Sequence, residues 1–197
     1  METTDRVQNI LMVGVGGQGV ILASEIISEV MMRAGHDVKK SEVHGMAQRG
    51  GSVSSHVRFG PKVYSPLIKK GDADVLFSFE LLESVRYLDF LRSDALIIVN
   101  NQKVLPPSVT LGVDSYPARL PEIMRERFSR VEIVDALDIA KQAGNVRALN
   151  VAFLGAFSRH FAVDENLWKE VISSMLTPKL VDVNIKAFML GREKMNS

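Results

Sequence analysis

The sequence of 197 residues contains no cysteine. Disulfides, thiolate metal sites, self-ligated iron–sulfur clusters and a cysteine nucleophile are therefore excluded, because the ligand atom is absent. Lys and Arg number 24 and Asp and Glu 23, leaving a net charge of +1. That balance offers no bulk attraction to nucleic acid or an anionic membrane. No apolar run approaches the ~18 residues of a membrane span. The first residues include an acid and no apolar core, so a signal peptide is not expected and a cytoplasmic location is. What is present, 46% hydrophobic and 24% charged residues, is the make-up of an ordinary globular chain. The length suits one domain over 1–197 with a core large enough to need no cross-links.

The pattern along the chain alternates strand and helix. Asn9–Val15 is a short β-branched apolar run ending in glycine, which predicts a buried strand. Val20, Ala23, Ile27, Val30 and Ala34 recur at helical spacing, and Gly35 stands where a helix would be capped. Strands are predicted at Asp37–Val43, Ala73–Phe79, Ala95–Val99 and Val131–Val134, and helices at Leu81–Leu91 and Leu120–Phe128. Between Ser52 and Phe59 apolar and polar residues alternate. Gly60–Pro61 then turns the chain, and Val63–Ser65 is expected to pair back as a hairpin arm. From Leu137 onward the periodicity is helical: Ile139–Gln142, Ala148–Phe161, Leu167–Leu176 and Lys179–Lys194. The expected fold is α/β, Rossmann-like, with a mostly parallel sheet, helices on both faces, a β-hairpin arm and a helical C-terminal tail packed onto the sheet.

Gly14, Gly16, Gly17 and Gly19, with Gln18, form G-x-G-G-x-G between a predicted strand and a predicted helix. Gly14 permits a tight turn, Gly16 a close approach of another group to the backbone, and Gly19 close helix–strand packing. Amides at the helix start could hold an anion. A dinucleotide site needs a ribose-binding acid about 20 residues on, at the end of the second strand. Glu42 is at the strand end but beyond that spacing, and Asp37 is near the strand start. Two readings stay open: a nucleotide cradle, and a tight turn with no ligand.

Gly71–Asp72–Ala73 followed by Asn100–Asn101 imitates the spacing of a thiamine diphosphate motif, in which Asp and Asn hold Mg²⁺ through oxygen. The third glycine is missing, and Lys69–Lys70 stand where a buried strand should precede the motif. The expectation is that Asp72 opens one strand and Asn100 closes the next, with no thiamine or metal on this chain.

The stretch from Ser41 to Ser54 gathers His44, Gln48 and Arg49 among Gly45, Gly50 and Gly51. It follows the second strand, on the carboxyl edge where open α/β sheets bind ligands. Arg49 offers a planar fork for carboxylate or phosphate, and His44 can donate to an anion or move a proton. His56 and Arg58 extend a polar face nearby. These residues, with the glycines, are the candidate catalytic, ligand or interface groups. The alternative is that they satisfy loop backbone and pair with local acids.

With these motifs in hand, N-I-L-M-V-G-V-G-G-Q-G-V, H-G-M-A-Q-R-G-G-S-V-S-S-H-V-R and Tyr64–Ser65–Pro66, the chain resembles the γ-type domain of 2-oxoacid:ferredoxin oxidoreductases. Gly144–Asn145 and Asn150–Ala156 match as well. Many members carry Y-G-x-E-x-R-G-G in the second loop; His44–Gly51 has the form of the indolepyruvate branch. The resemblance implies a small subunit in the oxidative decarboxylation of an aryl pyruvate, with coenzyme A as co-substrate and electrons leaving to ferredoxin. It implies anaerobic amino-acid catabolism, and a chain inactive by itself. Thiamine diphosphate, Mg²⁺ and 4Fe–4S clusters would lie on a large α subunit, and no cofactor on this chain. His44, Gln48 and Arg49 would then orient an anionic group beside the partner. A homodimer of the isolated chain stays open. So do a stand-alone NAD(P)-binding oxidoreductase, an adenylating enzyme and a non-catalytic scaffold.

Overall fold

The structure is a computed structural model that describes residues 6–44 and 51–193, with His44 by its backbone only. The six strands are β1 (Gln8–Val15), β2 (Asp37–His44), β3 (Ser52–Gly60), β4 (Ala73–Ser78), β5 (Leu91–Asn100) and β6 (Arg130–Val134). They form one sheet in the order β2-β3-β1-β4-β5-β6. β1, β4, β5 and β6 pair in parallel, and β3 runs antiparallel to both β1 and β2. The helices are α1 (Val20–Arg33), α2 (Leu81–Arg86), α3 (Pro107–Thr110), α4 (Leu120–Arg127), α5 (Ala136–Ala143), α6 (Leu149–Ser158), α7 (Glu165–Met175) and α8 (Pro178–Glu193).

β1 sits inside the sheet with both faces covered, and Ile10, Leu11, Met12 and Val13 are fully buried. One face carries Ile10, Met12 and Phe77 against α1 and α5–α8; the other carries Leu11, Val13 and Leu76 against α2 and α4. This two-sided burial explains why the β1 sequence is a continuous apolar run. α1 ends as its sequence predicts. Gly35 takes φ +92°, its N–H bonds the Met32 carbonyl, and the His36 N–H bonds that of Met31. This is the paired closure that a glycine after the last turn permits.

The hairpin is β2–β3, not β3 with Val63–Ser65. Its register runs from Asp37 opposite Gly60 to His44 opposite Val53. Val63–Ser65 form no strand; the Val63 N–H is held by Asp37 Oδ2 instead. The alternation in β3 also differs from an inside–outside pattern, because both faces are covered. Val53, Val57 and Phe59 join the α1 core, while His56 and Arg58 bind the chain that crosses the opposite face.

The helix expected over Leu81–Leu91 is shorter. α2 ends at Arg86, a 3₁₀ turn covers Leu88–Phe90, and β5 begins at Leu91 opposite Ala73. β5 therefore runs through the exposed polar stretch Arg92–Asp94, a part that apolar periodicity does not reveal.

The C-terminal helices build the deepest part of the core. Phe153 of α6 stacks on Phe77 of β4 at 4.2 Å between ring centroids, and Trp168 of α7 lies edge-on to Phe157. α6 and α8 cross at glycines. A Cβ on Gly155 would stand 2.1 Å from the Phe188 carbonyl oxygen, and one on Gly191 would stand 2.0 Å from that of Ala152. The backbones touch, so neither position has room for any side chain.

Candidate functional site

The carboxyl edge of β1 and β4 holds the glycine turn. Helices leave on opposite faces here: α1 follows β1 on one side and α2 follows β4 on the other. Such a divergence opens a crevice above the strands. In this chain Gln18 fills it. Its Oε1 accepts the Val15 N–H at 2.7 Å, and its Nε2 donates to the Phe79 carbonyl and to Gln102 Oε1, both at 3.1 Å. Asn100 Nδ2 donates to the same Gln102 oxygen, and Asn100 Oδ1 accepts the Ala136 N–H. A relay of neutral amides thus ties the turn to the ends of β5 and β6.

The glycines follow from packing. A Cβ at Gly14 would stand 2.9 Å from both Gln18 Oε1 and Val20 Cγ2. Gly19 has φ +79°, and a Cβ there would stand 2.0 Å from Asn150 Nδ2 at the start of α6. Gly17 has φ +98° with open space above it. The Gly16 N–H, the amide a pyrophosphate would approach, donates to the Gly51 carbonyl at 2.9 Å. That bond joins the turn directly to the end of the second loop.

The nucleotide reading meets a further obstacle in the topology. β3 is inserted between β1 and β2. The end of β2 therefore lies two strand spacings, about 10 Å, from β1 instead of about 5 Å. Asp37 stands opposite Gly60 at the other end of the hairpin and binds the Val63 N–H and Lys39.

The opposite face of this edge is acidic and buried. Glu80, 1% exposed, caps α2 by accepting the Glu83 N–H at 2.8 Å. Its other oxygen accepts the Val104 N–H at 3.1 Å and the Tyr116 hydroxyl at 2.5 Å. Burial and the Glu80 carboxylate push the Tyr116 hydroxyl far above its ordinary range. Glu83, 5% exposed, accepts the Ser52 hydroxyl at 2.6 Å. Burial raises its pKa, with Ser52 and Arg86 opposing and Glu80 adding. Ser52 Oγ also lies 3.3 Å from the Tyr87 hydroxyl.

The chain pinned by Glu80 carries a surface of its own. From Val104 to Val113 it has no charged residue. Leu111 and Val113 are 78% and 75% exposed, and Leu105 is exposed as well.

The structure thus unites Gly14, Gly16, Gly17, Gln18, Gly19 and Gly51. His44 closes β2 opposite Val53 on the same edge. Gln48, Arg49 and Gly50 lie outside the described residues. His56 and Arg58 are not brought to this edge. His56 is buried, its Nδ1 accepts the Ile68 N–H, and burial lowers its pKa. Arg58 pairs in register with Asn9, bonds Asn9 Oδ1, and holds the Ser65 and Leu67 carbonyls. Both secure the crossing chain. Asn100, Gln102, Glu80, Glu83 and Tyr116 were not singled out by sequence for this edge. The one available signal was a pair of acids three apart opening a helix after a buried strand.

The thiamine-like spacing dissolves in three dimensions. Asp72 precedes β4 at the amino edge, whereas Asn100 ends β5 at the carboxyl edge. The two strands are parallel, so a strand length of about 20 Å separates the residues and they cannot share an ion. Among the described residues no group of three or more His, Asp or Glu could hold a metal. No helix among them is long and apolar enough to cross a membrane.

Residues 9–194 match the pyruvate ferredoxin/flavodoxin oxidoreductase family. The chain belongs to this family. Relatives in it include the indolepyruvate oxidoreductase subunit IorB of Archaeoglobus fulgidus, 45% identical over 188 residues and covering 93% of this chain and 92% of the relative. The corresponding subunit of Thermococcus kodakarensis is 40% identical over 188 residues, with 93% of each chain covered. The γ subunit of a keto/oxoacid ferredoxin oxidoreductase from Geobacter sulfurreducens shares the fold, with a TM-score of 0.70 at 23% identity over 95% of this chain and 97% of that one. A 2-oxoglutarate:ferredoxin oxidoreductase from Magnetococcus marinus contains the same fold within a longer chain. There the TM-score is 0.72 at 24% identity, over 96% of this chain and 31% of that one. The family resemblance read from the two loops therefore holds over nearly the whole length. The family's fold occurs both as a separate subunit and as part of a larger polypeptide.

Proposed function

We propose that this chain is the small subunit of an indolepyruvate-type 2-oxoacid:ferredoxin oxidoreductase, a single domain acting in the cytoplasm beside a larger α subunit. The observation that carries this reading is the 45% identity to an indolepyruvate oxidoreductase subunit across 93% of the chain. The reaction converts an aryl pyruvate and coenzyme A to acyl-CoA and CO₂ and sends two electrons to ferredoxin. Thiamine diphosphate, Mg²⁺ and 4Fe–4S clusters belong to the larger partner in this reading; they supply the decarboxylation and the electron path. Without cysteine, this chain cannot ligate such clusters through thiolates.

What the chain contributes is shape and charge at its carboxyl edge. The glycine turn is filled by Gln18 and Asn150 and its Gly16 amide is engaged, which suits a rigid wall better than a nucleotide cradle. Arg49 and His44 orient an anionic group, either the substrate carboxylate or a coenzyme phosphate, and Gln48 lies between them in the chain. Their effect is orientation and charge stabilisation, not bond making. The uncharged stretch Val104–Val113 gives the same edge an apolar border suited to a subunit contact.

Reconstitution with the large subunit tests this. The complex should reduce ferredoxin with indolepyruvate and coenzyme A, and neither subunit should do so alone. Arg49→Ala should assemble normally and raise KM for the 2-oxoacid or coenzyme A about tenfold or more. Unchanged constants with normal assembly would leave the loop a mere contact.

A further inference from the structure

Glu83 is an uneconomical way to hold a strand. A buried carboxylate carries a desolvation cost of several kcal/mol, and a neutral amide at the same place could meet the Ser52 hydroxyl. Yet Glu83 is buried, and the Arg86 side chain that pairs with it at 3.4 Å is half-exposed. What Glu83 holds is the point where three parts of the edge converge. Ser52 opens β3 opposite Val15, the last residue of β1. The preceding carbonyl, that of Gly51, accepts the Gly16 N–H of the glycine turn. On the other side of the sheet Gln18 clasps the Val15 N–H. The end of β1 is therefore held by the Gln18 amide on one face, and Ser52, its partner in β3, by a carboxylate on the other.

We propose that Glu83 is a positioning residue of the site: through Ser52 and Gly51 it sets the Gly16 amide in the geometry the assembled enzyme uses. The inference rests on the function proposed above and adds a residue to it. Glu83 works as the acceptor of the Ser52 hydroxyl, and Tyr87 offers that hydroxyl its alternative partner. Among the described residues, the charged and titratable groups around Glu83 are Glu80, Arg86 and Tyr87, with Tyr116 bound behind Glu80.

Two measurements decide the matter. In the full chain, the Gly16 amide should exchange hydrogen slowly, and about tenfold faster in Glu83→Ala and Ser52→Ala. In the reconstituted complex, both variants should bind the large subunit normally and keep KM for the 2-oxoacid, while kcat falls about tenfold. The double variant should be no worse than either single one, because both break the same link. Ser52→Thr, which keeps the hydroxyl, should restore kcat. Glu83→Gln, whose amide oxygen still accepts the Ser52 hydroxyl, should keep both the slow exchange and kcat. Unchanged Gly16 exchange or an unchanged kcat in the alanine variants, or losses that multiply in the double variant, would each overturn the proposal. If the wild-type complex fails to turn over indolepyruvate, the functional reading falls, and Gly16 exchange still decides the role of Glu83.

Discussion

The α6–α8 crossing and the carboxyl edge of β1 and β4 both depend on glycine, for opposite reasons. At the crossing Gly155 and Gly191 let two backbones meet, and Phe77, Phe153 and Trp168 seal the surroundings. The contacts there are mainly apolar or backbone, with Arg192 of α8 donating to the buried Ser158 hydroxyl of α6. At the edge, Gly14 and Gly19 make room for polar side chains, Gln18 and Asn150, the bonds continue through Gln102 and Asn100, and Glu80 and Glu83 lie buried on the other face. The first region holds the fold together. The second region holds particular groups in place at a cost in desolvation, which is the pattern expected where a chain works.

The sharpest way to break this contrast is at the crossing. Gly155→Leu should prevent folding, and Gly155→Ala should cost about 3 kcal/mol or more, above the usual range for overpacking because backbone blocks the Cβ; denaturant unfolding would measure it. Next is Glu80→Ala, which leaves the Glu83 and Val104 amides and the Tyr116 hydroxyl without their acceptor and should cost about 3 kcal/mol. A loss confined below 1 kcal/mol would show that water replaces Glu80 and that this edge is not dry.

A third test concerns acid. His160, at the end of α6, is held down to about 4 by burial and by Arg159 and Arg130, although Glu132 Oε2 lies 2.9 Å from its Nε2. Arg159 also binds Glu132. A histidine with a depressed pKa adds stability that is complete above its ordinary value of 6.5 and lost as pH falls from there to about 4. The loss should be on the order of 1–3 kcal/mol, and His160→Gln should flatten it in thermal melts across that window.

Smaller still is Gln18→Ala, expected to cost about 1–2 kcal/mol by orphaning the Val15 amide. The smallest effect on folding should come from Leu111→Asp with Val113→Asp, within about 0.5 kcal/mol at exposed sites. The same pair should weaken binding to the large subunit about tenfold or more, which titration of the two subunits would show.

The fold was largely legible because its strands are apolar runs buried on both faces and its helices carry clear stripes. β1, α1, β4 and α4–α8 appear within a few residues of their predicted bounds. The insertion of β3 between β1 and β2 was not legible. Alternation shows that a segment is a strand, but not which neighbour it pairs with. Nor does alternation distinguish a solvent face from one covered by a crossing chain, which is why His56 and Arg58 read as site residues. At the edge, the glycine turn and Gly51 announced themselves through residue type. Glu80 and Glu83 did not, since an acid near a helix start ordinarily serves the helix itself.

The central claim is that the carboxyl edge is the working surface and the crossing is not. Hydrogen–deuterium exchange of the full chain, free and bound to the large subunit, addresses it directly. The account predicts added protection at Gly14–Gly19, Ser52 and Val104–Val113 on binding, with α6, α8 and the chain held by His56 and Arg58 unchanged. Protection confined to α6–α8 or to the amino edge, with the glycine turn unaffected, would contradict it.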